Sequence, residues 1–148
     1  MDSKEKEKID VKFRPIRQYH MTQVVLLLNQ LSESKIHNFD TTKAWHKFKA
    51  NTSSNAVVGL IGDEVVAYGS IVIENKIRGE VAGHIEDVVV DKKLRGSGVG
   101  IKLIEELLYI AEMEDCFRVS LFCKPELESF YEKNGFKVNN IVMKKWLN

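Results

Sequence analysis

Six residues, Arg95-Gly96-Ser97-Gly98-Val99-Gly100, carry the first chemical signal in this chain. They follow the apolar run Val88-Val89-Val90 and lead into a helical pattern over residues 101–113. A strand, a glycine turn and a helix in that order leave backbone N–H groups without intrahelical acceptors at the helix N-terminus, where the dipole also favours negative charge. The glycines allow close approach of the backbone, and Arg95 adds a fixed cation. The chemistry is anion binding, with phosphate the usual occupant and the amides of residues 96–101 (Ile101 the last) as donors. An ordinary glycine cap would share this pattern, so the flanking segments must decide. No Gly-Lys-Ser/Thr follows the glycines, which excludes a nucleoside-triphosphate P-loop.

The elements that position this turn can be read from periodicity. Residues 11–16 form a short strand candidate, with Pro15 favouring an edge. Residues 21–31 suit a largely buried helix, and residues 41–49 a second one capped by Asp40 or Thr41. Residues 56–61 and 65–73, separated by Gly62-Asp63, predict a hairpin. A charged connection, 74–79, leads to a strand over 81–90. After the turn, Val99, Leu103, Ile104, Leu107, Leu108 and Ala111 make one apolar stripe. Residues 118–123 form a strand. Residues 126–134 form a short helix with Gly135 at C′, and 136–138 and 141–146 a final strand pair. This order predicts an α+β fold, a mixed sheet with helices on its faces.

Bulk properties narrow the function. At 148 residues the chain suffices for one domain, expected over 11–148 behind a charged, solvated tail, 1–10. A net charge of +1 offers no broad basic surface for nucleic acid. No apolar run is long enough for a membrane span, and the charged N-terminus lacks a secretory core. Cys116 and Cys123 have neither the number nor the spacing of a disulfide framework or a metal site, and read as reduced thiols packed in or near the core. A cytoplasmic setting and no metal follow as expectations.

The segments around the turn resemble the GCN5-related N-acetyltransferase (GNAT) superfamily. The strand 85–90, the turn 95–100, the strand 119–123 and Phe130-Tyr131-Glu132-Lys133-Asn134-Gly135-Phe136 agree with it in order and spacing. Within that superfamily Gly83-His84-Ile85-Glu86-Asp87-Val88-Val89-Val90, Cys116-Phe117-Arg118 and Leu121-Phe122-Cys123 are similar to the glucosamine 6-phosphate N-acetyltransferases. The resemblance implies a GNAT acyltransferase fold and acetyl-CoA as donor. It also implies D-glucosamine 6-phosphate as acceptor, on the way to UDP-N-acetylglucosamine, and a homodimer built through the C-terminal strand region.

Site roles follow from the same resemblance. Arg95 to Ile101 would hold the pyrophosphate. Val88, Val89 and Val90 would lie along the pantetheine, with the Val88 N–H polarising the thioester carbonyl. Glu86 and Asp87 would orient the amine or take its proton, and Tyr131 would protonate the leaving thiolate. Ser32, Lys76, Arg78, Phe117, Arg118 and Lys145 are the acceptor-binding candidates, with Lys144 a further cation. His84 is read as structural.

Three positions depart from the family pattern. Phe122 replaces an acidic residue, Leu127 an asparagine, and Trp146 a basic residue beside Lys145. Two alternatives stay open: a GNAT enzyme acting on another small amine or a protein amine, and a non-catalytic acyl-CoA-binding module.

Overall fold

The structure, a computed structural model, describes residues 9–32 and 39–148. The notional tail therefore lies, for residues 1–8, outside the described residues. Five strands form one sheet in sequence order: β1 (Lys12–Pro15), β2 (Ser54–Ile61), β3 (Glu64–Asn75), β4 (Val81–Val90) and β5 (Arg118–Leu121). The first four are antiparallel, whereas β4 and β5 run parallel. The parallel step requires a crossover, which α3 (Val99–Met113) supplies. The remaining helices are α1 (Met21–Leu28), α2 (Thr41–Ala50) and α4 (Glu128–Lys133).

The sheet is covered on both faces, which explains why β2 and β3 read as nearly continuous β-branched runs. On one face Val24 and Leu27 of α1 pack with Val58, Tyr68 and Val89, and Trp45 and Phe48 of α2 close the edge. On the other, Leu107 and Ala111 of α3 pack on Val57, Ile71, Ile73 and Ile85. The fit of α3 to the sheet is tight at Gly69, where a Cβ would stand 2.9 Å from Leu107 Cδ1.

Polar ties set where the helices sit. Asp40 caps α2 by accepting from the Lys43 amide at 3.1 Å. Gln23 of α1 accepts from the Val65 amide at 2.9 Å and donates to the Asp63 carbonyl at 3.2 Å, gripping the β2–β3 turn. Gln30, just past α1, accepts from the Lys92 amide at 3.1 Å and so fastens that end to the approach of the glycine turn.

Several expectations need correction. The first helix stops at Leu28 instead of residue 31, and Leu26 and Leu31 are exposed. Its last residues form tighter turns, Gln30 N–H to Leu27 O and Leu31 N–H to Leu28 O. The final helix begins at Glu128, behind a 3-10 turn at Pro125–Leu127. The strand at 118–123 ends at Leu121, and Cys123 is exposed instead of core-packed. The two C-terminal strands are absent: 136–148 forms no ladder, and Ile141 and Met143 are 87% and 91% exposed. A strand exists only against a partner edge, and none of the described strands pairs with this segment.

Leu107 is fully buried between α3 and the sheet. Leu107→Ala should lower unfolding stability by about 2–5 kcal/mol, read from urea midpoints at unchanged slope.

Candidate active site

The site begins where the sheet opens. β4 and β5 pair only from Ala82↔Arg118 to Ile85↔Leu121, yet β4 continues to Val90. From Glu86 onward no described strand pairs with β4 on that side, which leaves a slot between the strand ends. The amide of Asp91 donates to Val66 O at 2.8 Å, toward β3. Backbone groups alternate along a strand, so the preceding amide, that of Val90, faces the slot.

A β-bulge deforms β4 beside this opening. Ser70 pairs with Glu86 and Tyr68 with Val89, so Gly69 alone opposes Asp87 and Val88. Asp87 takes φ +53°, a left-handed conformation costing about 1–2 kcal/mol for a residue with a Cβ. The distortion is held by Ser70, 7% exposed, whose hydroxyl donates to the Glu86 carbonyl at 3.1 Å. Tyr68 lies buried beneath; burial, then the Asp87 carboxylate, push its hydroxyl up to about 12. Bulges commonly re-aim side chains next to active sites. Here Glu86 and Asp87 are exposed, while Val88 lies half-buried without a ladder partner.

Beyond β4, Gly96 and Gly98 take φ +78° and +86°, and Gly98 is the N-cap of α3 without a side-chain cap. The first helical bond returns from Lys102 N–H to Gly98 O, so the amides of Val99, Gly100 and Ile101 lack intrahelical acceptors. Ser97 differs from expectation: its amide donates to Leu94 O at 3.2 Å, and its hydroxyl bonds the same carbonyl. The turn uses that amide itself. Arg95 is exposed, with no ion pair among the described residues.

Tyr131, the third candidate, lies on α4 and is buried. Gly135, φ +89°, ends this helix with Gly135 N–H to Glu132 O and Phe136 N–H to Tyr131 O, both 3.1 Å. That Schellman pairing brings Phe136 onto Tyr131, ring centroids 5.9 Å apart. Phe130 meets the turn: a Cβ on Gly100 would lie 3.3 Å from Phe130 Cζ. Burial, then Cys123, raise the Tyr131 hydroxyl above the ordinary tyrosine value, so it stays protonated at neutral pH.

The open strand edge, the glycine turn and the protonated tyrosine all fall within residues 24–136, which match the acetyltransferase (GNAT) family model. The chain belongs to this family. It is 35% identical over 123 residues to glucosamine 6-phosphate N-acetyltransferase 1 of Oryza sativa subsp. japonica, covering 79% of this chain and 74% of that one. Over 85 residues it is 41% identical to the Arabidopsis thaliana enzyme of that name, covering 56% and 57%. The crystal structure of an Arabidopsis thaliana glucosamine-6-phosphate N-acetyltransferase superposes with a TM-score of 0.85 at 29% identity, covering 94% and 99%.

In this GNAT acetyltransferase the acceptor candidates are scattered. Lys76 is paired with Glu74 at 2.8 Å and Arg78 with Glu80 at 3.0 Å. Arg118 lies over the Phe117 ring at 5.3 Å. Ser32 is exposed, just past α1, and Lys144 and Lys145 are exposed in the C-terminal segment. Among the described residues no cluster of His, Cys, Asp and Glu suits a metal ion, and no helix is long and apolar enough to cross a membrane. The bulge and its supports, Tyr68 and Ser70, escaped the sequence reading, although a lone glycine inside a strand, Gly69, is the signal that marks such a place.

Hydrogen bonds from Lys76 and then His84 hold the Glu74 carboxyl at about 2. A depressed carboxylate stabilises the fold above its ordinary range, near 4.5, and loses that contribution as pH falls toward 2. Between pH 5 and 2 the native protein should therefore lose more urea stability than Glu74→Gln.

Proposed function

We propose that this GNAT acetyltransferase moves the acetyl group of acetyl-CoA to the amine of D-glucosamine 6-phosphate, by direct attack in a ternary complex. The products are N-acetyl-D-glucosamine 6-phosphate and CoA, which places the enzyme in amino-sugar supply for UDP-N-acetylglucosamine, in a cytoplasmic setting. The observation that carries this reading is the open edge of β4 at the Asp87–Val88 bulge, followed in the chain by the glycine turn that caps α3. Relatives 35–41% identical, named for this activity, support it.

The residues divide the work as follows. Amides of Val99 to Ile101, with Gly98 and Arg95, take the pyrophosphate; one helix terminus contributes only about 0.3–2 kcal/mol, so several N–H bonds and the pantetheine must add to it. Val88, Val89 and Val90 lie along the pantetheine, with amides of Val88 and Val90 directed to it in the manner of an added strand. The Val88 N–H faces the thioester oxygen, where negative charge develops. The amine nitrogen bonds the carbonyl carbon and the C–S bond breaks. Glu86 or Asp87 receives the amine proton, directly or through water, and Tyr131 protonates the departing thiolate. No enzyme nucleophile is required.

For the sugar phosphate, Arg118 and Lys145 carry no carboxylate partner among the described residues. Lys76 and Arg78 can join only by exchanging Glu74 and Glu80 for it. Ser32 and Phe117 complete the acceptor set. A groove of about 1310 Å³ beside β5 and α4 reaches Tyr131 and is bounded by Phe136, Ile141 and Val142. With Ile141 and Met143 exposed, a second copy of the chain is the occupant this segment suits. Sedimentation of the protein as a monomer at micromolar concentration would count against that dimer.

Thiol release from acetyl-CoA, measured against glucosamine 6-phosphate, spermidine and a lysine peptide, should be fastest with the sugar. Faster release with another amine would select a different acceptor, and release with none would leave a binding module. Tyr131→Phe should lower kcat by roughly 10²-fold or more from pH 7 to 9, at little cost to acetyl-CoA affinity. Unchanged turnover would remove Tyr131 as the acid.

A further inference from the structure

His84 sits one residue before the sheet opens, at the register His84↔Ser120. Its Nδ1 lies 2.9 Å from Ser120 Oγ, and its Nε2 lies 2.9 Å from Glu74 Oε2. The other Glu74 oxygen takes Lys76 Nζ at 2.8 Å. One imidazole thus joins β3, β4 and β5 across the face opposite α3.

The direction of these bonds follows from the acids and bases involved. Glu74, held at about 2, is ionised at neutral pH and can only accept. The Nε2 therefore carries a hydrogen, and in the neutral imidazole this leaves Nδ1 to accept from the Ser120 hydroxyl. On the α3 face the same joint is secured by packing: a Cβ on Gly83 would meet Ile71 Cδ1 at 2.9 Å and Val119 Cγ2 at 3.3 Å. On the opposite face the His84–Ser120 bond is the side-chain tie recorded between β4 and β5 among the described residues. The pairing it supports is only four residues long on the β5 side. Parallel ladders are also slightly less stable per residue than antiparallel ones.

We propose that His84 is a positioning residue, whose bond to Ser120 fixes where β4 and β5 part and so sets the width of the slot that receives the acyl donor. Glu74 serves it by holding the imidazole in the tautomer that accepts from Ser120, as a carboxylate orients a histidine in many sites. The inference rests on the acetyl-transfer reading above.

Two conservative variants separate the arms of the imidazole. An asparagine amide ends near the position of Nδ1 and can reach Ser120; a glutamine amide ends near Nε2 and can reach Glu74 but not Ser120. The test compares native protein, His84→Asn, His84→Gln and Ser120→Ala in thiol-release kinetics, acetyl-CoA titration calorimetry and thermal unfolding. His84→Gln and Ser120→Ala should weaken acetyl-CoA binding and raise its KM by about fivefold, the worth of one hydrogen bond, with kcat within twofold. His84→Asn should keep KM near the native value, even where its unfolding temperature falls as far as that of His84→Gln. Native affinity in both His84→Gln and Ser120→Ala overturns the proposal, as does a His84→Asn protein as impaired as His84→Gln. A native protein that binds acetyl-CoA but releases no thiol with any amine overturns the transfer reading, while the calorimetric comparison still decides the role of His84.

Discussion

The parting of β4 from β5 after Ile85 is the constraint on which the rest of the structure depends. Strand backbone groups need partners, and a strand whose neighbour turns away presents N–H and C=O groups to whatever enters. In this protein the opening is interior to the fold, between a long strand and a short one, so it does not act as an aggregation-prone outer edge. The bulge at Asp87 and Val88 deepens it, and the left-handed Asp87 is conformational cost concentrated at the same place. Such strain persists only when its surroundings over-determine it. Ser70 on the Glu86 carbonyl, Tyr68 beneath Asp87 and the close seating of Leu107 at Gly69 do so here.

The chemistry then depends on aligning groups that arrive from distant parts of the chain. The anion turn is aimed by α3, whose apolar stripe fixes it to the sheet. Tyr131 is aimed by the glycine-capped end of α4 and by Phe136 against its ring. Gly100 joins the two, because its missing side chain lets Phe130 settle on the first turn of α3. The Phe-Tyr and Gly-Phe pairs of the family pattern therefore have separate physical tasks: one Phe locates α4, the glycine stops it, and the second Phe locks the tyrosine. Gln30 ties the approach of the glycine turn to the end of α1.

Much of this was legible from residue order. β4 runs over the predicted 81–90, and the hairpin before it pairs around Gly62-Asp63, because β-branched runs bounded by turn residues leave little choice. The anion turn was legible because left-handed backbone demands glycine. The bulge was read past: its one mark, Gly69, stands on the facing strand, and the left-handed Asp87 is set by register against β3. The ion pairs of Lys76 and Arg78 were hidden for a related reason: which carboxylate a loop cation meets depends on how the flanking strands close. The C-terminal segment was apolar enough for a strand, but apolar composition supplies no partner edge, which must come from elsewhere in the fold.

The central claim is that the open side of β4 and the first turn of α3 are one continuous site for the acyl donor. Amide hydrogen exchange by NMR, with and without CoA, tests it residue by residue. CoA should slow exchange at Val88 and Val90 and at Val99 to Ile101 together, leaving the already paired Ala82 to Ile85 unchanged. Protection confined to residues outside these two segments, or exchange at Val88 and Val90 unaffected by saturating CoA, would contradict the account.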